Sequence, residues 1–170
     1  SNLYSSNGTK LIKLLITGDS WLDPSTFRVM FDVQNNGAVN QQLRVVSGPH
    51  SFFRRMRVLC GGQVIEDIDD YNRVHEMFSI LQTPHARSNE RAEGFGGNVD
   101  IKHLNTEALL PGFRNYQAVC FKPLAGVVMQ SKYLPLRYAP IETELSLSDS
   151  TEPIVSEQIG NFTTANTSYQ

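Results

Sequence analysis

The strongest constraint on the fold is a strict alternation of side chains in the segment IETELSLSD, residues 141–149. Successive side chains of a β-strand point to opposite faces of a sheet, so this pattern predicts a strand with one face in a core and the other in water. The core-facing set is Ile141, Thr143, Leu145 and Leu147, and the water-facing set is Glu142, Glu144, Ser146 and Ser148.

The same periodicity predicts several other strands. In FRVMFDVQ, the apolar residues Phe27, Val29, Phe31 and Val33 share one face, and YQAVCFKP at 116–123 is a mixed run suited to burial on both faces. Other candidates are 11–17, 42–46, 55–60, 63–68 and 134–138. The run at 11–17 also fits a helical face, but Gly18 ends it after about two turns, which favours a strand.

Turn signals separate these runs and bound the architecture. Gly-rich and Pro-containing triplets or pairs occur at 18–20, 35–37, 47–49, 61–62 and 111–113. Seven or eight short strands with such spacing predict an all-β fold, an antiparallel sandwich or barrel. A chain of 170 residues suits one domain, with a core over about 11–148 and polar tails at 1–10 and 149–170.

The segment VLCGGQVIEDIDDYN at 58–72 raises the question of a phosphate or metal site. Gly61 and Gly62 stand between two apolar runs, which is typical of a tight hairpin turn, and no phosphate-loop pattern is present. The spacing of a calcium loop is also absent from the acids Glu66, Asp67, Asp69 and Asp70. We therefore predict a central hairpin in which Asp69 or Asp70 caps a following helix.

That helix is predicted from YNRVHEMFSIL at 71–81. Its apolar residues recur at i, i+3, i+4 and i+7 and form one stripe, which consists of Val74, Met77, Phe78 and Leu81. The segment 83–110 that follows lacks steady periodicity and is interpreted as a long surface excursion.

Charge and motif content argue against nucleic-acid binding and catalysis. The net charge is −2, and the only dense basic cluster, Arg54, Arg55 and Arg57, fits a solvated strand face or a subunit contact, with Arg55 and Arg57 on one face and Arg54 on the other. The histidines His50, His75, His85 and His103 occur singly, and Ser79 stands where the second zinc ligand of an HExxH motif would be. We expect no enzyme activity and no catalytic, cofactor-binding or metal-binding residues.

Cysteines, termini and apolar runs add further expectations. Cys60 and Cys120 lie in strand-like runs and are expected to be small buried hydrophobes. No run is long enough for a membrane span, and the sequons at Asn7, Asn161 and Asn166 lie in polar tails. Because Ser1 stands in place of an initiator Met, we expect the chain to be a piece of a longer product.

Two segments carry a resemblance to a known family. SFFRRMRVLCGGQVIEDIDDYNRVHEMF at 51–78 and FKPLAGVVMQSKYLPLRYAPIETELSLSD at 121–149 resemble the double-jelly-roll major capsid proteins of eukaryotic DNA viruses, above all those of polinton-like viruses and virophages. In that family an apolar strand leads through a small-residue loop to an LPL element and then to a strongly alternating strand. The resemblance covers about 27–148.

The resemblance implies an antiparallel jelly-roll sandwich that acts as a structural protein of the virion. A double jelly roll needs two such domains, so this chain is either one roll, the N-terminal one, or a single-jelly-roll relative. The implied partners are copies of itself in a homotrimeric capsomer and other capsid proteins, such as a penton or minor capsid protein. The segment 83–110, both tails, Phe95 and Phe113 are our candidates for these contacts.

The rival reading is a carbohydrate- or ligand-binding jelly roll, since the same architecture is found in lectins and cupins. A cupin needs clustered His and Glu ligands, which the sequence does not show. A lectin usually needs an aromatic platform near polar groups, and Trp21 is the only Trp candidate, equally suited to plug the core.

Overall fold

The computed structural model describes residues 4–5, 8–35, 45, 48–94, 116–149, 153 and 167–169, and this part of the chain is built mainly of antiparallel strands. The strands are β1 Leu11–Ile16, β2 Trp21–Leu22, β3 Val29–Asn35, β4 Phe53–Cys60, β5 Gln63–Ile68, β6 Tyr116–Phe121, β7 Leu134–Pro135, β8 Ile141–Leu147 and β9 Thr167–Tyr169. The helices are α1 Tyr71–Ile80, α2 Pro84–Asn89 and α3 Gly126–Met129, with 3₁₀ turns at Pro24–Thr26, Pro49–Phe52 and Glu90–Glu93. The all-β class is confirmed, although three short α-helices replace the single one we predicted.

The larger sheet has the strand order β1-β8-β4-β5. Its central strand β8 pairs along its whole length with β1, from Ile16 opposite Ile141 to Leu11 opposite Ser146. The core-facing half of the alternation at 141–149 is therefore confirmed, because Ile141, Thr143, Leu145 and Leu147 are all buried. The water-facing half was wrong at two positions, since Glu144 and Ser148 are buried as well. The run at 11–17 is an edge strand of this sheet, as we expected from its length.

A second sheet has the order β6-β3-β9, and β2 and β7 form a separate two-stranded ribbon. In β3, Val29 and Val33 are buried and Phe31 is half-buried, which confirms the predicted face. The prediction for β6 was wrong in one respect. Val119 and Phe121 are buried but Ala118 is exposed, so this strand buries one face only.

The two large sheets share one core. Phe31 of β3 meets Phe53 of β4 edge to face at 5.4 Å between ring centroids, and Phe53 stacks on Phe121 of β6 at 5.8 Å. Aromatic pairs in these geometries contribute about 0.5–1.5 kcal/mol beyond the area they bury. Phe53 therefore links the inner faces of the two sheets, as in a sandwich.

A β-bulge near the start of β4 corrects our assignment of its arginines. Simple alternation would point Arg54 inward with Met56 and Val58. The register instead shifts between Phe53 and Arg55, so that Phe53 lies opposite Leu147 and Arg55 opposite Ser146. The extra residue lets both Phe53 and Met56 face the core and leaves Arg54 exposed.

The central hairpin between β4 and β5 forms as predicted. Gly61 and Gly62 have φ of 57° and 83°, the pair of positive values that a two-residue hairpin turn of type I′ requires. A second register shift lies between Val58 and Leu59, where Ile65 of β5 has no paired residue on β4. A bulge on an edge strand discourages further strand pairing.

Helix α1 follows the hairpin, but its cap and its buried face differ from the prediction. Asp70 is the N-cap with a left-handed φ of 48°, and its side chain makes no capping hydrogen bond; its main-chain oxygen accepts from Arg73 and Val74 instead. The helix packs on β4 and on the 3₁₀ turn at Pro49–Phe52 through the face that carries Tyr71 and Ser79. The apolar stripe is not the packing face.

Several predictions fall partly or wholly outside the described residues. Of the predicted strand 42–46, only Val45 is described, and it is a buried bridge residue. The start of the 83–110 excursion forms α2 and the turn at Glu90–Glu93, and the rest is outside. The described parts of both tails contact the domain: the N–H of Leu147 donates to the main-chain oxygen of Lys10 at 2.9 Å, and β9 pairs with Val33–Asn35 of β3.

Candidate assembly site and the buried histidine pair

The outer face of the larger sheet carries a row of alternating charges, one from each strand. The register places Lys13 of β1 opposite Glu144 of β8, Glu144 opposite Arg57 of β4, and Arg57 opposite Asp67 of β5. Neighbouring side chains on one face of paired strands lie within reach of each other, and opposite charges there stabilise the pairing. The row therefore ties all four strands together across their solvent side.

Glu144 is the centre of this row and is nearly inaccessible to water. Its side chain is only 6% exposed, it contacts Lys13 Nζ through Oε1, and Arg57 Nη1 lies 3.2 Å from its Oε2. We expected the outer face of β8 to be wet, and at Glu144 that was wrong. The long stems of Lys13 and Arg57 cover the carboxylate while their charged ends stay partly solvated.

The row shifts the ionisation of its members in the directions that favour charged forms. The hydrogen bond and charge of Glu144 raise the pKa of Lys13. A two-pronged contact holds Asp67, because Arg55 Nε and Nη2 donate to its two carboxylate oxygens at 2.8 and 2.7 Å. This contact lowers the pKa of Asp67 and raises that of Arg55. All charges of the face are thus paired within the chain, so the face offers little free charge to a polyanion.

Three of the four residues of the apolar stripe of α1 project away from the core, and the fourth, Val74, is half-buried. Met77 is 67% exposed, Phe78 55% and Leu81 81%, and the neighbouring Ile80 is 60% exposed. Large apolar side chains scattered singly on a surface are ordinary, but several on one helix end form a patch. We call Met77, Phe78, Ile80 and Leu81 the α1 patch. Such patches commonly mark contacts with another protein.

A second group of exposed apolar residues lies on the β2–β7 ribbon. Trp21 is 68% exposed and pairs in register with Pro135, so it does not plug the core. Tyr133 and Tyr138 flank the same ribbon strand and are 62% and 81% exposed, with Arg137 over the ring of Tyr138 at 5.9 Å.

His50 and His75 form a stacked pair of imidazole rings. His50 lies in the 3₁₀ turn at Pro49–Phe52 and is 2% exposed, and His75 lies on α1. Their rings stack with centroids 4.0 Å apart and an interplanar angle of 13°. Nε2 of His50 lies 3.3 Å from Oε2 of Glu76, which leaves the pair with one adjacent carboxylate.

The surroundings of this pair favour uncharged groups. Burial, and next the nearby His50, lower the pKa of His75 to about 3. Tyr71 meets His75 edge to face at 5.7 Å, and burial raises its pKa; its hydroxyl oxygen accepts the N–H of Leu124 at 2.8 Å. Burial also raises the pKa of Glu93, whose Oε1 lies 3.4 Å from the N–H of Lys122. At neutral pH His75 is therefore an uncharged imidazole.

The acids of the segment 58–72 serve three structural roles. Glu66 accepts the backbone N–H groups of Gly126 and Val127, at 2.8 and 3.4 Å, and so joins β5 to α3. Asp67 belongs to the charged row, and Asp69 and Asp70 start the helix. Within the described ranges, no group of three His, Cys, Asp or Glu residues could hold a metal ion.

The remaining predicted residues are distributed over the fold. Cys60 and Cys120 are free and half-buried, less enclosed than expected. His85 is exposed on α2. Phe95, Phe113 and His103, together with 95–110 of the predicted excursion, lie outside the described residues. We predicted neither the contact between His50 and His75 nor the exposure of the α1 patch.

Comparison with known proteins returned no relative: no family model, no curated protein and no solved structure matches this chain. Among the described residues, none of the helices has the length and apolar character needed to cross a bilayer.

Proposed function

We propose that the chain is a structural subunit of a viral capsid, one jelly roll of a major capsid protein that associates with copies of itself. Its activity is geometric: a stiff pair of sheets presents loops and helix faces to neighbouring subunits in a shell. Trimeric capsomers, contacts with penton or minor capsid proteins and location in the virion belong to this proposal. No bond is made or broken in this function.

The order in which the strands pair supports a jelly roll. The first long strand pairs with the last long one, β1 with β8, and within that pair β3 pairs with β6. Such nested pairing arises when one long antiparallel ribbon is rolled into a sandwich, which is how the two Greek keys of a jelly roll are generated. The hairpin, helix and alternating strand that carry the family resemblance all form within this framework.

The α1 patch is the single observation that carries self-association. Met77, Phe78 and Leu81 are more than half exposed, although the same helix buries its opposite face on β4. Apolar anchors of this kind contribute most of the binding energy when they enter a partner's surface. The charged face of the larger sheet, in contrast, is already neutralised within the chain. We propose that the α1 patch binds a second copy of this chain.

Electron microscopy of the expressed chain and of two variants tests this proposal. Phe78→Asp places a charge in the α1 patch, while Met129→Asp places one on α3, at a side chain of similar exposure, 57% against 55%. We expect regular oligomers or particles from the parent and from Met129→Asp, and their loss in Phe78→Asp with the circular dichroism unchanged. Particles of equal yield from Phe78→Asp would refute the role of the patch.

A second candidate function is supported by the exposure of Trp21. An exposed indole beside Tyr133 and Tyr138 has the composition of an aromatic platform that stacks on sugar rings. Titration of a glycan panel against the fluorescence of Trp21, the only Trp in the chain, distinguishes the two candidates. Saturable quenching by one glycan, loss of binding of that glycan on an array in Trp21→Ala, and no self-association would favour the carbohydrate-binding module.

A further inference from the structure

Two stacked imidazoles form part of the contact between α1 and the rest of the domain. His75 contributes one ring from α1, beside the packing residues Tyr71 and Ser79, and His50 lies in the 3₁₀ turn on which the helix packs. Two parallel imidazolium rings with centroids 4.0 Å apart repel each other, so the stacked geometry excludes a positive charge on both rings at once.

Few acceptors surround the pair. Nδ1 of His75 and Oγ of Ser79, one turn further along the helix, are both enclosed and have no hydrogen-bond partner among the residues the structure describes. A protonated His75 would therefore carry a donor with no acceptor and a charge with little solvent. Buried polar groups in that state are strongly unfavourable.

The charged and titratable groups near the pair do not compensate for a charge on His75. They are Glu76 and Tyr71 from α1 and Glu93 from the turn at Glu90–Glu93, while Arg28 acts on Glu93 and Arg54 lies next to Asp70. Glu76 is paired with His50, and Glu93 is held by the backbone N–H of Lys122 and by the charge of Arg28. Arg54 pairs with Asp70 and Asp149 at the start of the helix.

We propose that the stacked His50–His75 pair is an acid-sensitive latch, which holds α1 on the sandwich at neutral pH and releases the helix when His75 takes up a proton. Release moves the α1 patch and the start of the 83–110 segment together, since the patch lies on the last turn of α1 and the segment follows the helix in the chain. The proposal goes beyond the capsid function and stands without it, because the latch is a property of the isolated chain.

Opening is favoured by acid because a solvated histidine binds a proton that the closed site excludes. With an ordinary pKa of 6.5 in the open state and about 3 in the closed state, the ratio of open to closed helix rises about 30-fold from pH 8 to pH 5. The sandwich strands contain no such pair among their described residues, so their opening should not follow the same curve.

Hydrogen exchange read by mass spectrometry tests the latch on the whole chain. After correction for the intrinsic pH dependence of exchange, we expect protection of the α1 amides to fall about 30-fold from pH 8 to pH 5, while β8 amides remain protected. His75→Phe keeps an aromatic ring in the stack and cannot take up a proton, so it should abolish the fall. His85→Phe changes an exposed histidine and should leave it intact.

Three results would overturn the proposal: constant α1 protection in the parent chain, an equal fall in His75→Phe, or a fall of the same size in β8. A nuclear magnetic resonance titration of the parent chain covers the case in which His75→Phe does not fold. The latch predicts that the imidazole signals of His75 in the closed protein do not shift between pH 8 and pH 5. A titration of those signals with a midpoint near 6.5 would also overturn it.

Discussion

Substitution of Glu144 by Gln tests whether the charged row stabilises the larger sheet. The change keeps the shape of the side chain but removes the negative charge between Lys13 and Arg57. Lys13 is 55% exposed and Arg57 34% exposed, so neither cation becomes fully buried when its partner is lost. Glu144→Gln should therefore lower the free energy of unfolding by less than the 3–5 kcal/mol typical of a broken buried ion pair.

The magnitude follows from the two contacts. The contact with Lys13 resembles a surface pair and contributes about 0.5 kcal/mol. The contact with Arg57 is an ion pair without a hydrogen bond at Glu144 Oε2, and because it is more enclosed it contributes about 1.5 kcal/mol, between a surface and a buried pair. We expect Glu144→Gln to lower the free energy of unfolding by about 2 kcal/mol at pH 7, with an unchanged slope against urea. Urea denaturation followed by circular dichroism measures it.

Glu142→Gln is the matched control on the same strand. Glu142 lies 3.5 Å from Lys13 Nζ and is 32% exposed, so its replacement should lower the free energy of unfolding by less than about 0.5 kcal/mol. If Glu144→Gln and Glu142→Gln proved equally stable, the enclosure of Glu144 by its two cations would contribute nothing, and the argument for the row would fail.

Three other predictions concern the turn, the histidine pair and the C-terminal tail. Gly61→Ala should lower the free energy of unfolding by about 1 kcal/mol. The cause is the φ of 57°, which alanine disfavours, and not a clash, since nothing lies within 4 Å of the added methyl group. Asparagine tolerates that φ, so Gly61→Asn should lower the free energy of unfolding by less in the same urea assay. The folded protein has a depressed pKa at His75, so the contribution of His75 to the free energy of unfolding is complete above about pH 6.5 and declines as the pH falls toward 3. The difference in unfolding free energy between the parent and His75→Phe should therefore change by about 2 kcal/mol between pH 8 and pH 5. A difference that stays constant would contradict this. Truncation after Asp149 should leave a folded domain by circular dichroism, because β9 adds only three paired residues to β3, whereas loss of the cooperative urea transition would show that the tail is part of the core.

The long strands could be predicted because their hydrophobic periodicity is local information. In β8 all four predicted core-facing residues are buried, as are Val29 and Val33 of β3, and the Gly61–Gly62 pair marks the turn with a backbone requirement that few residues meet. The bulge beside Arg54 could not be predicted in the same way. One inserted residue reverses the faces of the residues before it, and whether it is inserted depends on the pairing with β8.

The α1 helix shows a different limit. Its periodicity correctly predicts a helix with an apolar stripe, but periodicity alone does not say what the stripe packs against. In the folded chain, Tyr71 and Ser79 face the body of the domain, and the stripe is outside. The histidine pair was missed for a related reason: His50 and His75 are far apart in the chain and meet only because α1 lies across the turn at Pro49–Phe52. The charged row also depends on strand order, which no single strand specifies.

The central claim, that this sandwich associates with copies of itself through the α1 patch, is tested most directly by its molar mass in solution. Light scattering across a hundredfold range of concentration at pH 7.5 should show a mass that rises above the 19.1 kDa of the single chain and reaches a defined multiple of it, three by our proposal. Phe78→Asp should remain at the mass of one chain throughout. A parent chain that stays monomeric over the whole range would contradict the account.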